Sequence, residues 1–225
     1  LLEPFKADLL PGTLEGYTLP QSDGKERNRK NIRKALALME DAGWTIQDGV
    51  MKNADGQPFE FTVLLQQGAT ENEAIMNIYT SALERIGITM DVETLDGAQY
   101  KERTNAYNFD MTYYRRGLSL SPGNEQFLYW GADGIINPGT RNWMGMNSPA
   151  AEAMIDALVN SASQDDFRAA ARALDRVLMA GRYVIPIHSA RVSRIAHDSK
   201  LKFPDTLPMY GDFLGFAPDV WWVEE

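Results

Sequence analysis

Residues 59–94 constrain the fold more than any other stretch. Apolar residues there recur first at every second position, then at helical spacing, then at every second position again. Phe59, Phe61, Val63 and Leu65 alternate with Glu60, Thr62 and Leu64, as in a strand with at least one buried face. Ile75, Ile78, Tyr79, Ala82, Leu83 and Ile86 then form the stripe of an amphipathic helix that Gly87 stops, and Ile88, Met90 and Val92 alternate with Thr89, Asp91 and Glu93. Strand, helix and strand in that order predict a β-α-β unit with parallel strands and a right-handed crossover. A second crossover comes next. Asp96 is placed to cap a helix with Gln99 three residues on, Tyr100, Arg103 and Tyr107 continue it, and residues 109–114 read as a third strand.

The flanks extend this α/β reading. Pro4, Pro11, Gly12, Gly16, Pro20 and Gly24 keep breaking any period, so residues 1–25 read as a connecting segment laid over a surface. From Asn31 the spacing of Ile32, Ala35, Leu36 and Met39 predicts a helix capped by Gly43. Residues 44–46 and 50–52 flank Gln47-Asp48-Gly49 as a hairpin, and Asp55-Gly56 marks a second turn. Ser148-Pro149 starts a helix along Ala151, Met154, Ile155, Leu158 and Val159, and Ser163, with Asp166 at its third position, starts another that runs to Gly181. Residues 184–187 and 191–195 are strand candidates, and no helix is expected from Lys200 onward. Residues 115–147 show little periodicity and no expected regular element, which in a compact domain points to a functional loop.

Composition removes several function classes. With 22 Lys and Arg against 31 Asp and Glu the net charge is −9, which argues against nucleic acid or an anionic membrane held over a broad basic face. The absence of cysteine excludes disulfides, thiolate nucleophiles and cysteine-ligated metal centres. No apolar run approaches the ~18 residues of a membrane span. His188 and His197 are the two histidines, and neither a metal-binding motif nor a G-x-S-x-G elbow accompanies them, so no metal, cofactor or catalytic residue is expected. Phosphate-binding glycine loops are likewise lacking.

A binding site is expected where the third strand ends, because open α/β sheets hold ligands outside the carboxyl ends of their strands. There stand Arg115, Arg116 and Gly117, then Ser119, Ser121, Asn124 and Gln126, with Trp130, Asn142 and Trp143 later in the same loop. Arginine can grip a carboxylate bidentately, serine and amide side chains add neutral hydrogen bonds, and tryptophan supplies an apolar wall. Each of these residues equally suits ordinary packing or a surface ion pair. Tyr100, Arg103, Tyr107, Tyr113 and Tyr114 suit either the lining of a binding groove or, as is commoner for aromatics at such spacing, packing; the acidic pairs 40–41 and 165–166 read as solvated or capping groups, and Gln66-Gln67-Gly68 as a source of amides at the same sheet edge.

The order of these segments resembles the C-terminal half of bacterial family 5 solute-binding proteins, the peptide, nickel and oligosaccharide receptors of ABC importers. The resemblance is carried by NIRKALALMEDAGW with DGQPFEFTVLL, by the stretch from AIMNIYTSALERIGITMDVETL to FDMTYYRRG, and by SPAAEAMIDALVNSASQDDFRAAARALDRVLMAGRYVIPIHSAR, across residues 26–197. LLEPF, the Arg-Arg-Gly stretch and the Trp-Trp-Val tail look most like the long peptide and microcin-type receptors. The resemblance implies a periplasmic-binding-protein-like lobe, with βαβ units, a mixed sheet, flanking helices and Pro-rich extensions. Residues 1–25 would cross from a first lobe, 26–197 would form the second, and 198–225 would return toward the first.

For function, the resemblance implies capture rather than catalysis. A peptide or other small-molecule solute would be enclosed between two lobes and delivered to ABC permease membrane subunits by a monomeric receptor. Its location would be periplasmic, or extracellular and membrane-associated in a Gram-positive source. His188 and Arg191, on the strand that passes the cleft, join the candidate site under this resemblance. The rival readings are a small α/β hydrolase or transferase and a peptide-binding interaction module. One departure matters: peptide receptors of this family commonly hold the ligand ammonium with an Asp near an Asp/Glu-Pro after the third strand. Here Leu118-Ser119-Leu120-Ser121-Pro122 carries no carboxylate. Either Glu125 substitutes for it or Arg115 and Arg116 favour an anionic group.

Overall fold

The computed structural model describes all residues except 26, 117–120, 190, 191, 193, 208–218 and 225. After a short 3-10 turn at Glu3–Phe5, helix α1 spans Arg29–Asp41 and ends as the Gly43 spacing predicts. Gly43 sits at φ +85°, the Gly43 N–H donates to Glu40 O and the Trp44 N–H donates to Met39 O, the paired bonds of a Schellman cap. Strands β1 (Thr45–Gln47) and β2 (Val50–Lys52) pair antiparallel through a two-residue turn, with Asp48 at φ 52° and Gly49 at φ 82°. Two successive positive φ values give the type I′ geometry whose twist matches a hairpin.

Strand β3 (Glu60–Gln66) pairs in parallel with β4 (Thr89–Leu95) on one side and β5 (Met111–Thr112) on the other. Val63, Leu64 and Leu65 are buried in succession, as expected of a central strand covered on both faces. Helix α2 (Thr70–Glu84) lays Ile75, Met76, Tyr79 and Leu83 over Val63, Leu65 and Met90. Its apolar face is rotated from the predicted stripe: Met76 is buried and Ile78 is 69% exposed. Helix α3 (Gly97–Asn105) is capped by Asp96, whose carboxylate accepts from the Ala98 and Gln99 N–H groups. The antiparallel hairpin stands as a sheet of its own beside the parallel one.

The third strand is shorter than the expected 109–114. The Asp110 carboxylate accepts from the Thr62 N–H and Thr112 Oγ donates to Leu64 O, while Phe109 and Tyr114 both turn onto the Trp143 ring. Side-chain bonds and ring packing thus replace ladder pairing at both ends.

Residues 115–147 also depart from expectation. They contain two short helices, α4 (Glu125–Trp130) and α5 (Asp133–Ile136), too brief for a helical period to stand out. Tyr129 and Trp130 of α4 join Met146 in a core built mainly from α6 (Pro149–Val159) and α7 (Gln164–Gly181). Leu2 belongs to the same core, so part of the Pro-rich entry is buried rather than merely surface-laid. Ser148 caps α6 as predicted. Ser163 caps α7 reciprocally, accepting from the Asp166 N–H and donating to the Asp166 carboxylate. Ser163→Ala removes both bonds and is expected to cost about 1 kcal/mol. Thermal melting should show a fall of roughly 2–4 °C, and an unchanged midpoint would mean the cap contributes nothing. Helix α7 ends at Gly181 as the spacing predicts, with Arg182 as the left-handed cap residue beyond it, and Gly181 makes room for the Tyr183 ring.

The chain divides into two units, Leu1–Tyr183 and Val184–Glu225. In the second, β6 (Leu201–Lys202) pairs antiparallel with β7 (Trp222–Val223), and His197, Phe203 and Trp221 pack ring on ring. The strand expected over residues 184–187 does not form, because no described segment pairs with it, and Val184 and Ile185 are 57% and 55% exposed. Of the 191–195 candidate, 191 and 193 lie outside the described residues and the others belong to no strand. Among the described residues no helix is long and apolar enough to cross a membrane.

Candidate functional site

The strand order β4-β3-β5 places the first strand of the parallel sheet in the middle, so the chain turns to one side after β3 and to the other after β4. Connections leave in opposite directions between β3 and β5, and the carboxyl edge there is the crevice such sheets offer to ligands. Gln66-Gln67-Gly68 ends one wall, and Tyr113 to Arg116 leaves the other. Tyr100 of α3 fixes that exit: with the Thr112 hydroxyl hydrogen given to Leu64 O, the one Tyr100 hydroxyl hydrogen is shared between Thr112 Oγ at 2.8 Å and Tyr113 O at 3.1 Å. Burial pushes the Tyr100 phenol above its ordinary pKa, so it stays protonated and able to donate.

Arg116 is the centre of the site. Its guanidinium lies 3.7 Å from the Tyr129 ring centroid, 4.9 Å from that of Trp130 and 5.4 Å from that of Tyr114. Three aromatic rings around one cation hold it by its attraction to their π faces and by packing along the stem. The Nε atom is buried without a hydrogen-bond partner among the described residues. Arg141 adds a second cation at Tyr129, donating from Nη1 to the phenol oxygen at 3.0 Å. Among the described residues, no carboxylate forms an ion pair with Arg115, Arg116 or Arg141.

Helix α4 forms the adjoining wall. Trp130 Nε1 donates to Gln126 Oε1 at 3.2 Å, and Gln126 Nε2 donates to Glu125 at 3.1 Å. Burial alone would raise the Glu125 carboxyl pKa, but hydrogen bonds from the Gly123 N–H, the Gln126 amide and its own backbone outweigh it and leave it lowered. The carboxylate therefore stays ionised and engaged with its own loop. Glu152 of α6 accepts from the Ala132 N–H and ties the end of α4 to the helical core.

The expected site residues separate into groups. Arg116, Gln126 and Trp130 come together, Arg115 is exposed beside them, and Trp143 joins through Tyr114, with ring centroids 4.9 Å apart. Asn124 is exposed at the start of α4, and Ser121 is exposed with its own interaction. Asn142 is fully buried, and its amide is spent on Gly131 O, Met146 O and the Met146 N–H, which makes it a brace of the loop. His188 belongs to the second unit. Gly117, Ser119 and Arg191 lie outside the described residues. Sequence reasoning misses Tyr129 and Arg141; the i,i+4 spacing of Gln126 and Trp130 is the available sign that a helix face stands there. Among the described residues no cluster of acidic or histidine side chains could hold a metal ion.

Residues 6–137 match the middle region of the bacterial extracellular solute-binding proteins, family 5. The chain belongs to this family. It is 36% identical to the probable peptide-binding protein YejA of Agrobacterium fabrum, over 92% of this chain and 33% of that protein. It is 34% identical to the peptidoglycan-binding protein YepA of the same organism, over 96% and 34% respectively. The fold matches the Bacillus subtilis oligopeptide-binding protein AppA, solved with a nonapeptide, at a TM-score of 0.65 and 17% identity, covering 86% of this chain and 37% of that one. The chain thus spans about a third of the length of the curated relatives it matches.

Proposed function

We propose that this chain is most of the second lobe of an ABC-importer receptor that captures a peptide or peptide-like solute by closing on it. Residues 1–25 cross from the first lobe, 26–197 form the second, and 198–225 return. The observation that carries the reading is the Arg116 cage at the sheet's switch point. There a cation without a counter-carboxylate among the described residues stands on a preformed aromatic floor. Such a corner suits an anionic end of a solute carrying apolar parts, and family membership supports binding over catalysis. Two relatives, one named for peptide binding and one for peptidoglycan binding, favour a peptide-like ligand. Arg115, Ser121, Asn124, Gln126 and Trp143 complete the proposed contact set, while Asn142 holds the loop's shape.

Closure arises from differential binding: a ligand that touches both lobes stabilises the closed form by what it gains there. The closed receptor then docks on permease subunits at the outer face of the membrane, as a periplasmic or extracellular monomer. Native mass spectrometry of the full-length protein, purified gently from its source, tests this. A peptide-like mass that leaves on denaturation is the expected result. A clean apo mass that persists after challenge with a peptide pool would overturn the peptide reading.

A further inference from the structure

The charge of this acidic chain is unevenly spread. Lys25, Arg27, Arg29, Lys30, Arg33 and Lys34 place six of its 22 basic residues within ten positions, beside Glu26 alone of its 31 acidic ones. Arg27 from the entry segment, Arg29 and Arg33 from α1 and Arg85 from the end of α2 line one cavity of about 700 Å³, with Ile32 as its apolar lining. Among the described residues no carboxylate lines this cavity, and Arg27, Arg29 and Arg33 form no ion pair.

Nothing in the helix accounts for that arrangement. Cations in a first turn face the positive end of the helix dipole, and like charges four apart on one face repel. Arg29 and Lys30 stand in the first turn, where no acidic residue offsets them, and Arg29 with Arg33 and Lys30 with Lys34 are like-charged pairs four apart. All four guanidinium groups of the cavity belong to exposed residues, so packing does not require them either. A multiply charged anion in the cavity reverses the sign of each of these terms, and the fork of arginine matches phosphate oxygens in pairs.

We propose that this cavity is a second binding site, separate from the solute cleft, that takes a phosphate-bearing anion with two or more negative charges. Arg85 precedes the first residue of β4 by four positions, so the cavity lies at the amino edge of the sheet, opposite the carboxyl edge where Arg116 stands. Seven residues of strand separate the two edges by roughly 23 Å. The phosphate can be free or belong to a lipid headgroup, and the chemistry of recognition is the same.

Two arms distinguish the sources. Pyrophosphate is titrated calorimetrically into the full chain at low ionic strength, and sedimentation with vesicles containing phosphatidic acid, whose phosphomonoester can carry two charges, is compared with phosphatidylcholine vesicles. Arg29→Gln with Arg33→Gln should weaken whichever binding is seen at least tenfold, because exposed substitutions leave the fold intact. Lys101→Gln with Lys200→Gln removes the same charge elsewhere and should change it less than twofold. Saturable pyrophosphate binding assigns the site to a free phosphate; binding to the anionic vesicles alone assigns it to a lipid. No binding in either arm, or equal losses in the two double variants, would overturn the proposal. Retention of the co-purified solute by the arginine variant keeps this test distinct from that of the cleft.

Discussion

Gly87→Ala should destabilise the chain by about 3–4 kcal/mol, roughly twice the effect of Gly43→Ala, although both glycines stand at positive φ. Gly43 at +85° has open space where a Cβ would go, so its replacement by alanine meets only the left-handed penalty of about 1–2 kcal/mol. Gly87 at +74° does not. A Cβ there would lie 2.7 Å from Met51 N and 2.8 Å from Gly49 O, and these are backbone atoms of the β1–β2 hairpin that no rotamer change can move. The Gly87 carbonyl also accepts from the Met51 N–H at 2.8 Å, the bond that seats the hairpin against the end of α2. Pushing the hairpin away loosens Met51, which is 1% exposed, from Ile86 and Ile88. For a chain of this length the melting midpoint should fall by roughly 6–16 °C, at about 2–4 °C per kcal/mol. If Gly43→Ala proves as costly as Gly87→Ala, the close approach of hairpin and helix end is not a determinant of stability.

The elements that can be read from sequence are those whose local signals agree with their tertiary setting. The 59–94 unit has a period for each element and a glycine at its turning point, so the order of its elements is legible, while the buried face of the helix, with Met76 in place of Ile78, is set by packing. Asp96, Ser148 and Ser163 are legible because an N-cap is a local bond between a side chain and an N–H two or three residues on. The short helices α4 and α5 are not, since four to six residues cannot display a helical period. Residues 184–187 have the composition of a strand, but a strand exists only with a partner, and composition does not name one. The Arg116 cage is half legible. The strand end identifies Arg116, but its rings come from Tyr114, two residues back, and from Tyr129 and Trp130 beyond a loop with no periodicity. Net charge hides the cluster at 25–34, because a whole-chain sum of −9 averages a locally basic segment into an acidic background.

If the proposed solute site is right, Arg116→Met in the full-length protein should weaken binding of tripeptides with a free C-terminal carboxylate by about 30-fold or more, and of the same tripeptides amidated at that end only slightly. Methionine keeps much of the apolar stem against Tyr129 and Trp130 while removing the charge, so the change falls mainly on electrostatics. Losing one partner of a desolvated charged contact costs about 2–5 kcal/mol, and 2 kcal/mol is already about 30-fold in affinity. Stability should respond far less. The cation–π attraction lost is about 0.5–2 kcal/mol, and the variant also removes a guanidinium whose buried Nε has no hydrogen-bond partner among the described residues. Arg115→Met serves as the comparison. It removes the same charge from an exposed position without the aromatic floor, where solvent screens the contact, and should cost no more than about 3-fold. A pool of tripeptides, free and amidated, read by mass spectrometry of what the protein retains, separates the cases. Equal losses for free and amidated peptides would make Arg116 a brace of the aromatic corner rather than a ligand contact. Equal losses for Arg115→Met and Arg116→Met would mean that long-range attraction, not the cage, selects the anion. Only a loss confined to Arg116 and to the free carboxylate fits a cation held rigid by Tyr129 and Trp130 so that its charge meets the solute with little reorganisation.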